Sequence, residues 1–220
     1  MTAEPSSGLD LERLPSGRHR LSREDVFASQ RGRLLLAVVQ VVSEKGYEAA
    51  TIADIVERAG VSRRVFYEQF ATKESGFLAA FELGVEPLLA RLGDPLKALA
   101  PHDWRGRIAA SLAVYLGVLA ENPGFARSLH VEMLRAGPAV LARRAALLAL
   151  FSGRTREMYR RARWADPALP VLPDEVFDLL TGGLDELIRE HLRTNDAGTL
   201  PDLAESATTA VLVMLGDLPR

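Results

Sequence analysis

Two adjacent arginines, Arg63 and Arg64, follow directly after Ser62 at the start of a short amphipathic segment. Serine is a favourable helix N-cap, so both guanidinium groups are expected in the first turn of a helix. Arginine pairs bidentately with guanine and also binds phosphate groups. Tyr67 lies one turn beyond Arg63 on the same exposed side. These residue types and this spacing indicate a helix that contacts nucleic acid.

A second short helix is predicted directly before this one. Thr51 and Asp54 form a capping-box pattern ahead of an apolar run. Gly60 can adopt the left-handed conformation that ends a helix, and Val61 follows it at the corner. Two short helices joined by a tight turn form the unit that places its second helix in the major groove of DNA.

Residues 22–82 resemble the DNA-binding domain of TetR-family transcriptional regulators. The resemblance is carried by Gly46-Tyr47, Thr51, Asp54-Ile55, Ala59-Gly60-Val61-Ser62, Phe66-Tyr67, Phe70 and Lys73-Glu74. The rest of the chain matches the family only in its general layout. The resemblance implies a homodimer that binds double-stranded DNA, with a helical C-terminal domain that encloses a small-molecule pocket.

Base reading is predicted at the exposed start of the second helix. Ser62, Arg63 and Arg64 lie where an inserted helix first meets base edges, although either arginine could hold a phosphate instead. Val65 stands where the family often has a small or hydroxyl residue. It either touches a thymine methyl group or belongs to the core.

Phosphate contacts are predicted around the starts of the neighbouring helices. Thr51 and Lys73 lie at helix N-termini, where backbone N–H groups attract anions. Tyr67 and Tyr47 complete this set. For Tyr47 the alternative interpretation is an amphipathic core residue with its hydroxyl at the surface.

Residues 1–20 are expected to form a flexible basic arm, since they are rich in proline, serine and glycine and lack periodicity. Arg18 and Arg20 are its candidate DNA contacts, along the phosphate backbone or in the minor groove. An idle tail is the alternative. The predicted domains are this arm, a helix-turn-helix domain over 21–75, and a ligand-binding and dimerisation domain over 76–220.

No alternating strand pattern occurs in the sequence, so the predicted fold class is all-α. It comprises an N-terminal three-helix helix-turn-helix domain and a C-terminal helical ligand-sensing and dimerisation domain. Besides the two short helices, helical segments are predicted near 23–45, 73–92, 103–121, 123–135, 138–164, 173–194 and 200–216. Pro87 is expected to bend or shorten the segment over 73–92.

Composition excludes several classes of chemistry. The 220 residues include no cysteine, and the four histidines are scattered without metal-ligand spacing. No phosphate-binding glycine loop or nucleophile elbow is present. We therefore expect no enzyme activity, no metal and no cofactor. No run of 18 apolar residues exists, which predicts a cytoplasmic protein without a membrane partner.

The segments 173–194 and 200–216 carry extensive apolar faces with interspersed glycine and alanine. The resemblance implies that they form a four-helix dimer interface, and an intramolecular core is the alternative. A twofold dimer would place two recognition helices roughly 34 Å apart, one turn of DNA. The candidate interface residues are Phe177, Leu180, Leu184, Ile188, Ala207, Ala210 and Met214.

The pocket that the resemblance implies would suit an apolar or amphipathic effector, because its candidate lining combines aromatic residues with methionine. These candidates are Trp104, Tyr115, Phe125, Met133, Phe151, Met158 and Tyr159, each of which could instead be core. The leading hypothesis is a repressor released from a palindromic operator by a small molecule. The alternative is a dimeric DNA-binding regulator without a ligand, controlled by a protein partner or by its abundance.

Overall fold

Helices account for the regular secondary structure of residues 23–100 and 102–217, the part of the chain that the computed structural model describes. The helices are α1 Arg23–Lys45, α2 Ile52–Ala59, α3 Arg63–Gln69, α4 Lys73–Ala98, α5 Trp104–Glu121, α6 Pro123–His130, α7 Pro138–Ala165, α8 Asp174–Thr194 and α9 Ala204–Met214. Two 3-10 segments, Glu132–Arg135 and Ala197–Leu203, precede α7 and α9. The all-α prediction is confirmed. Arg18 and Arg20 of the predicted arm lie outside the described residues.

The helix-turn-helix forms as its local signals predict. The Thr51 hydroxyl accepts the Asp54 backbone N–H, and the Asp54 carboxylate accepts the Thr51 N–H at 3.0 Å. Gly60 ends α2 with φ 62°, a conformation that glycine adopts without a steric penalty. Ser62 then caps α3 by accepting the Val65 N–H. These contacts are all local, which is why the sequence alone was sufficient to predict them.

The helix-turn-helix rests on α1 and the start of α4. Leu34, Val38 and Val42 of α1 are fully buried against Ile55 of α2 and Phe66 of α3. Arg33 of α1 also donates to the carbonyl of Ala59 at 3.1 Å. Burial of these side chains fixes α3 relative to α1 and leaves the opposite side of α3 exposed.

Helix α4 is longer than predicted, because Pro87 neither ends nor shortens it. Pro87 lies on the exposed side of α4, where the Leu83 carbonyl that loses its hydrogen bond can be solvated. Val85 and Leu88 are buried on the other side and hold the helix in place. Helix α4 therefore runs without a break from the helix-turn-helix into the C-terminal helices.

Helix α4 packs closely against α6 at a glycine. A Cβ added to Gly84 would lie 2.2 Å from the ring of Phe125, so only glycine allows this approach. The aromatic ring fills the space between the two helices. Two further contacts join α4 to α7: the backbone N–H of Ala139 donates to Glu74 at 2.9 Å, and Arg143 pairs with Glu82.

Two predicted helical segments are interrupted. The segment near 123–135 breaks at Val131, where α6 gives way to the first 3-10 segment. The segment near 200–216 begins as a 3-10 segment that contains Pro201, and α9 starts only at Ala204.

Most of the predicted dimer-interface residues lie inside the single chain. Phe177, Leu180 and Ala207 are buried in one cluster, against which Leu184 packs, and Ile188 is buried in the larger core. For these residues the intramolecular alternative holds, since periodicity identifies the apolar face of a helix but not what covers it. Ala210 and Met214 are exposed on α9.

None of the described helices is by itself both long and apolar enough to cross a membrane. Helices α5 and α6 satisfy the criterion of length and composition only when they are joined, and they meet at a bend of 111°.

Candidate DNA interface and ligand cavity

The start of α3 presents its polar side chains to solvent. Ser62, Arg63 and Arg64 are exposed, and the Arg64 side chain is 87% accessible although its Nε lies 2.8 Å from Glu68 Oε1. Tyr67 is 57% exposed and packs edge-on against Phe66. The helix can therefore offer two guanidinium groups and a phenol to a DNA groove without any rearrangement of the core.

Val65 lies on the inner side of α3. It is half-buried and packs against the core of the helix-turn-helix. Of the two roles open to it from the sequence, the structure supports the core role.

The start of α2 carries a negative charge. The Thr51 hydroxyl donates to Asp54 Oδ2 at 2.8 Å, and Lys45 Nζ lies 2.7 Å from Asp54 Oδ1. The hydrogen bonds from Lys45 and Thr51 lower the pKa of Asp54 to about 2. The Thr51 hydroxyl thus serves the helix cap, and its contact with phosphate stays a prediction.

Lys73 and Tyr47 hold the corner between α1 and α2 together. Lys73 Nζ donates to the backbone carbonyls of Tyr47 at 2.7 Å and Ala50 at 2.9 Å, and lies 4.2 Å from the centre of the Tyr47 ring. Burial lowers the pKa of Lys73. Tyr47 is itself buried and packs edge-on against Phe77. The core alternative therefore holds for Tyr47, and the ammonium of Lys73 is occupied mainly by backbone carbonyls rather than pointing freely to solvent.

A buried glutamate joins this corner to the C-terminal helices. Glu132, 1% exposed, accepts the backbone N–H of Tyr47 at 2.8 Å through Oε2. Arg127 lies 3.8 Å from its other oxygen. Gly46, beside Tyr47, has φ 82°, a conformation that favours glycine. Sequence reasoning missed this contact, since nothing local indicates a partner 85 positions away.

A cavity of about 710 Å³ lies between α4, α5, α7 and α8, within the usual size range of small-molecule sites. Its walls are mostly apolar, with Leu89, Ile108, Leu112, Leu148 and Leu180 among the lining residues. Helices α5 and α7 run antiparallel along it: Trp104 packs against Tyr159, and Tyr115 against Phe151. From Arg107 to Tyr115 the lining of α5 spans about 12 Å, at ~1.5 Å per residue.

Of the predicted pocket residues, Tyr115, Phe151 and Met158 line this cavity. The others do not, which corrects their assignment. Trp104 and Tyr159 pack on each other in the core, where the Tyr159 hydroxyl donates to the carbonyls of Pro170 and Leu215. Met133 is fully buried in the larger core, and Phe125 fills the gap beside Gly84.

The inner end of the cavity is a buried polar network. Tyr115 Oη lies 3.1 Å from His130 Nε2, and His130 Nδ1 lies 3.0 Å from Asp185 Oδ1. The other carboxylate oxygen of Asp185 accepts from Arg189 at 2.9 Å and from Arg144. One signal of this network was present in the sequence, since Asp185 lies on the apolar face of α8, where a charge requires a partner.

The opposite end of the cavity opens to solvent among charged side chains. Arg154 and Arg161 of α7 are exposed there, with Glu157 between them and 2.9 Å from Arg161. Arg107 of α5 also lines this end. Among the described residues of this end, the two exposed arginines of α7 outnumber the single glutamate between them.

Comparison with known proteins bears on both sites. Residues 34–80 match the sequence model described as "Bacterial regulatory proteins, tetR family". The chain is 32% identical over 111 residues to the HTH-type transcriptional activator FasR of Mycolicibacterium smegmatis, which covers 50% of each protein. It is 38% identical over 88 residues to the HTH-type transcriptional regulator CymR of Pseudomonas putida, 40% of this chain and 43% of that protein. The matched region thus spans half or less of these relatives.

Solved structures share the fold over most of their length. FadR from Bacillus subtilis, in complex with stearoyl-CoA, superposes with a TM-score of 0.70 and 17% identity over 86% of this chain and 99% of FadR. The fatty acid degradation regulator FadR from Bacillus halodurans has a TM-score of 0.73, 18% identity and coverage of 87% and 97%. The fold and the exposed α3 define a helix-turn-helix protein of the DNA-binding class. Over residues 34–80 the chain carries the sequence pattern of the tetR family of bacterial regulatory proteins.

Proposed function

We propose that the protein is a dimeric DNA-binding transcriptional regulator whose operator affinity responds to a small molecule held in the cavity between α4, α5, α7 and α8. The observation that carries this proposal is the hydrogen bond between Glu132 and Tyr47. It joins the helix-turn-helix to the 3-10 segment that directly follows His130, a residue of the cavity wall. A change at the cavity therefore has a short route to the DNA-reading unit, along the chain from His130 to Glu132 and across this hydrogen bond.

The effector that best suits the cavity is amphipathic, with an apolar body and an anionic head group. The mostly apolar walls favour the body, and Arg154 and Arg161 at the mouth favour the head group. The complex of Bacillus subtilis FadR with stearoyl-CoA supports a ligand of this kind for the fold, although the low identity transfers no individual contact.

A homodimer is proposed through the outer faces of α8 and α9. Leu179 is 66% exposed, and Gly182 and Gly183 beside it have no atom within 4 Å of an added Cβ. Val213 and Met214 of α9 are also exposed. A twofold interface uses the same patch on both copies, so this flat apolar strip can pack against itself.

Control of transcription follows from two-state linkage. A ligand that binds one arrangement of the C-terminal helices more tightly shifts the protein toward that arrangement. We propose that the ligand-bound arrangement moves the two α3 helices out of register with a palindromic operator, which releases a repressor. FasR is named as an activator. A ligand that lowers operator affinity would support release of a repressor, whereas a ligand that raises operator affinity would support recruitment to the operator.

The experiment has two steps. Selection from random DNA first identifies a bound sequence, which is expected to be palindromic. Fluorescence anisotropy then measures its affinity with and without stearoyl-CoA or decanoate. A change of at least fivefold is expected, the low end of typical allosteric coupling. Ligand binding without any change in DNA affinity would instead support the regulator that is controlled by a protein partner or by abundance.

A further inference from the structure

The two threonine hydroxyls that line the cavity have their protons directed away from it. Thr155 Oγ1 donates to the carbonyl of Phe151 at 3.1 Å, and Thr181 Oγ1 donates to the carbonyl of Phe177 at 3.0 Å. Both threonines line the cavity. A hydroxyl whose single proton is committed to its own helix can only accept a further hydrogen bond.

The Tyr115 hydroxyl has the same orientation, and Asp185 determines it. An ionised carboxylate only accepts hydrogen bonds, so His130 must carry its proton on Nδ1 to donate to Asp185. Arg144 and Arg189 supply the remaining donors to that carboxylate. The Nε2 atom of a neutral imidazole is then an acceptor, and the Tyr115 O–H points toward it.

The electrostatics of the network keep each group in this state. Burial lowers the pKa of His130, and the charges of Arg144 and Arg189 lower it further, against the opposing effect of Asp185. Burial raises the pKa of Asp185, but His130 and the two arginines outweigh it, so the net shift is downward. Burial also raises the pKa of Tyr115. The imidazole is therefore neutral, the carboxylate charged and the phenol protonated at neutral pH.

We propose that the inner end of the cavity recognises a hydrogen-bond donor, such as a hydroxyl or amide N–H, on the apolar body of the ligand. A carbonyl or ether oxygen at that position would face the lone pairs of Tyr115 and leave them unpaired. Ser111 and Thr155, which also line the cavity, each lie one helical turn nearer the mouth than the pair Tyr115 and Phe151. The inference rests on the proposed ligand-binding function and specifies the chemistry of the ligand, with an anionic head at the mouth and a donor at the inner end.

Two isomeric probes test it. 10-Hydroxydecanoate and 9-methoxynonanoate have the same formula and the same carboxylate, but only the first ends in a donor. Titration calorimetry on the full chain is expected to give roughly three- to tenfold tighter binding of the hydroxy acid, the net effect of one hydrogen bond. Equal affinities would overturn the inference and leave the ligand-binding function standing. Failure of both isomers and of stearoyl-CoA to bind would overturn both.

Two variants identify the group responsible. Y115F removes the acceptor oxygen but keeps the ring that packs against Phe151, so the preference for the hydroxy acid should fall toward one. H130F removes the Nε2 atom that accepts the Tyr115 proton. The Tyr115 O–H is then free to turn into the cavity, and the preference should reverse toward the ether. An undiminished preference in Y115F contradicts the assignment even if H130F does not fold.

Discussion

At the scale of single residues, specificity for DNA is expected to reside in the exposed start of α3. R63A and R64A should each cost about 1–3 kcal/mol of binding energy at the selected operator and relax the preference for the contacted base. Both side chains are exposed, so the fold should be unaffected. Anisotropy against operators with single-base changes measures the effect. If both variants retain the full sequence preference, base reading lies elsewhere.

Lys73 is predicted to stabilise the fold as well as to attract DNA phosphates. K73A removes two hydrogen bonds to the carbonyls of Tyr47 and Ala50, which should cost about 1–2 kcal/mol of folding stability after allowance for solvent screening. It should also weaken binding to all DNA sequences alike. Thermal denaturation measures the effect on stability, and nonspecific DNA binding measures the effect of charge. K45A is the control, since it removes a lysine from the exposed ion pair between α1 and α2. An unchanged melting temperature would show that the carbonyl contacts are unimportant.

The α2 cap has a predicted pH signature. Asp54 titrates at about 2 in the folded protein, against an ordinary value of 3.8. Because its folded pKa is depressed, its contribution to stability is fully present well above pH 3.8 and is lost as the pH falls toward 2. Carboxyl NMR titration should place its midpoint near 2, and K45A should raise it. A midpoint near 4 in the wild-type protein would contradict the capping contacts.

At the scale of elements, the contact between the 3-10 segment and the α1–α2 corner should transmit the ligand signal. E132A leaves the Tyr47 N–H unpaired in a buried site, which should cost about 1–3 kcal/mol and speed amide exchange at Tyr47. E132Q retains an acceptor oxygen and should be milder. In both variants ligand binding should persist while its effect on DNA affinity shrinks. E121Q, on an exposed ion pair with Arg91, is the matched control. A full ligand effect in E132A would mean that the signal travels by another route.

At the scale of the whole molecule, DNA binding should depend on the dimer. Leu179→Arg places a charge on the outer face of α8. This charge is solvated in the monomer but would be buried and unpaired in a dimer. Sedimentation should shift toward a 24.0 kDa species, and operator affinity should fall because one half-site is lost. Leu83→Arg, on the exposed side of α4, controls for the added charge. A wild-type protein that sediments as a monomer at micromolar concentration would refute the interface.

The sequence by itself determined the helix-turn-helix, including Thr51 and Ser62 as caps, Gly60 as the turn and the exposure of Arg63 and Arg64. These features depend on hydrogen bonds and side-chain spacing within a few residues, which a linear pattern contains. Only the tertiary structure decided that Lys73 binds backbone carbonyls, that Phe177 serves the core, and that Glu132 reaches Tyr47. It also assembled Tyr115, His130 and Asp185 at one end of a cavity. Periodicity shows that a helix has an apolar face, but long-range packing chooses the partner of that face and of every charge buried on it.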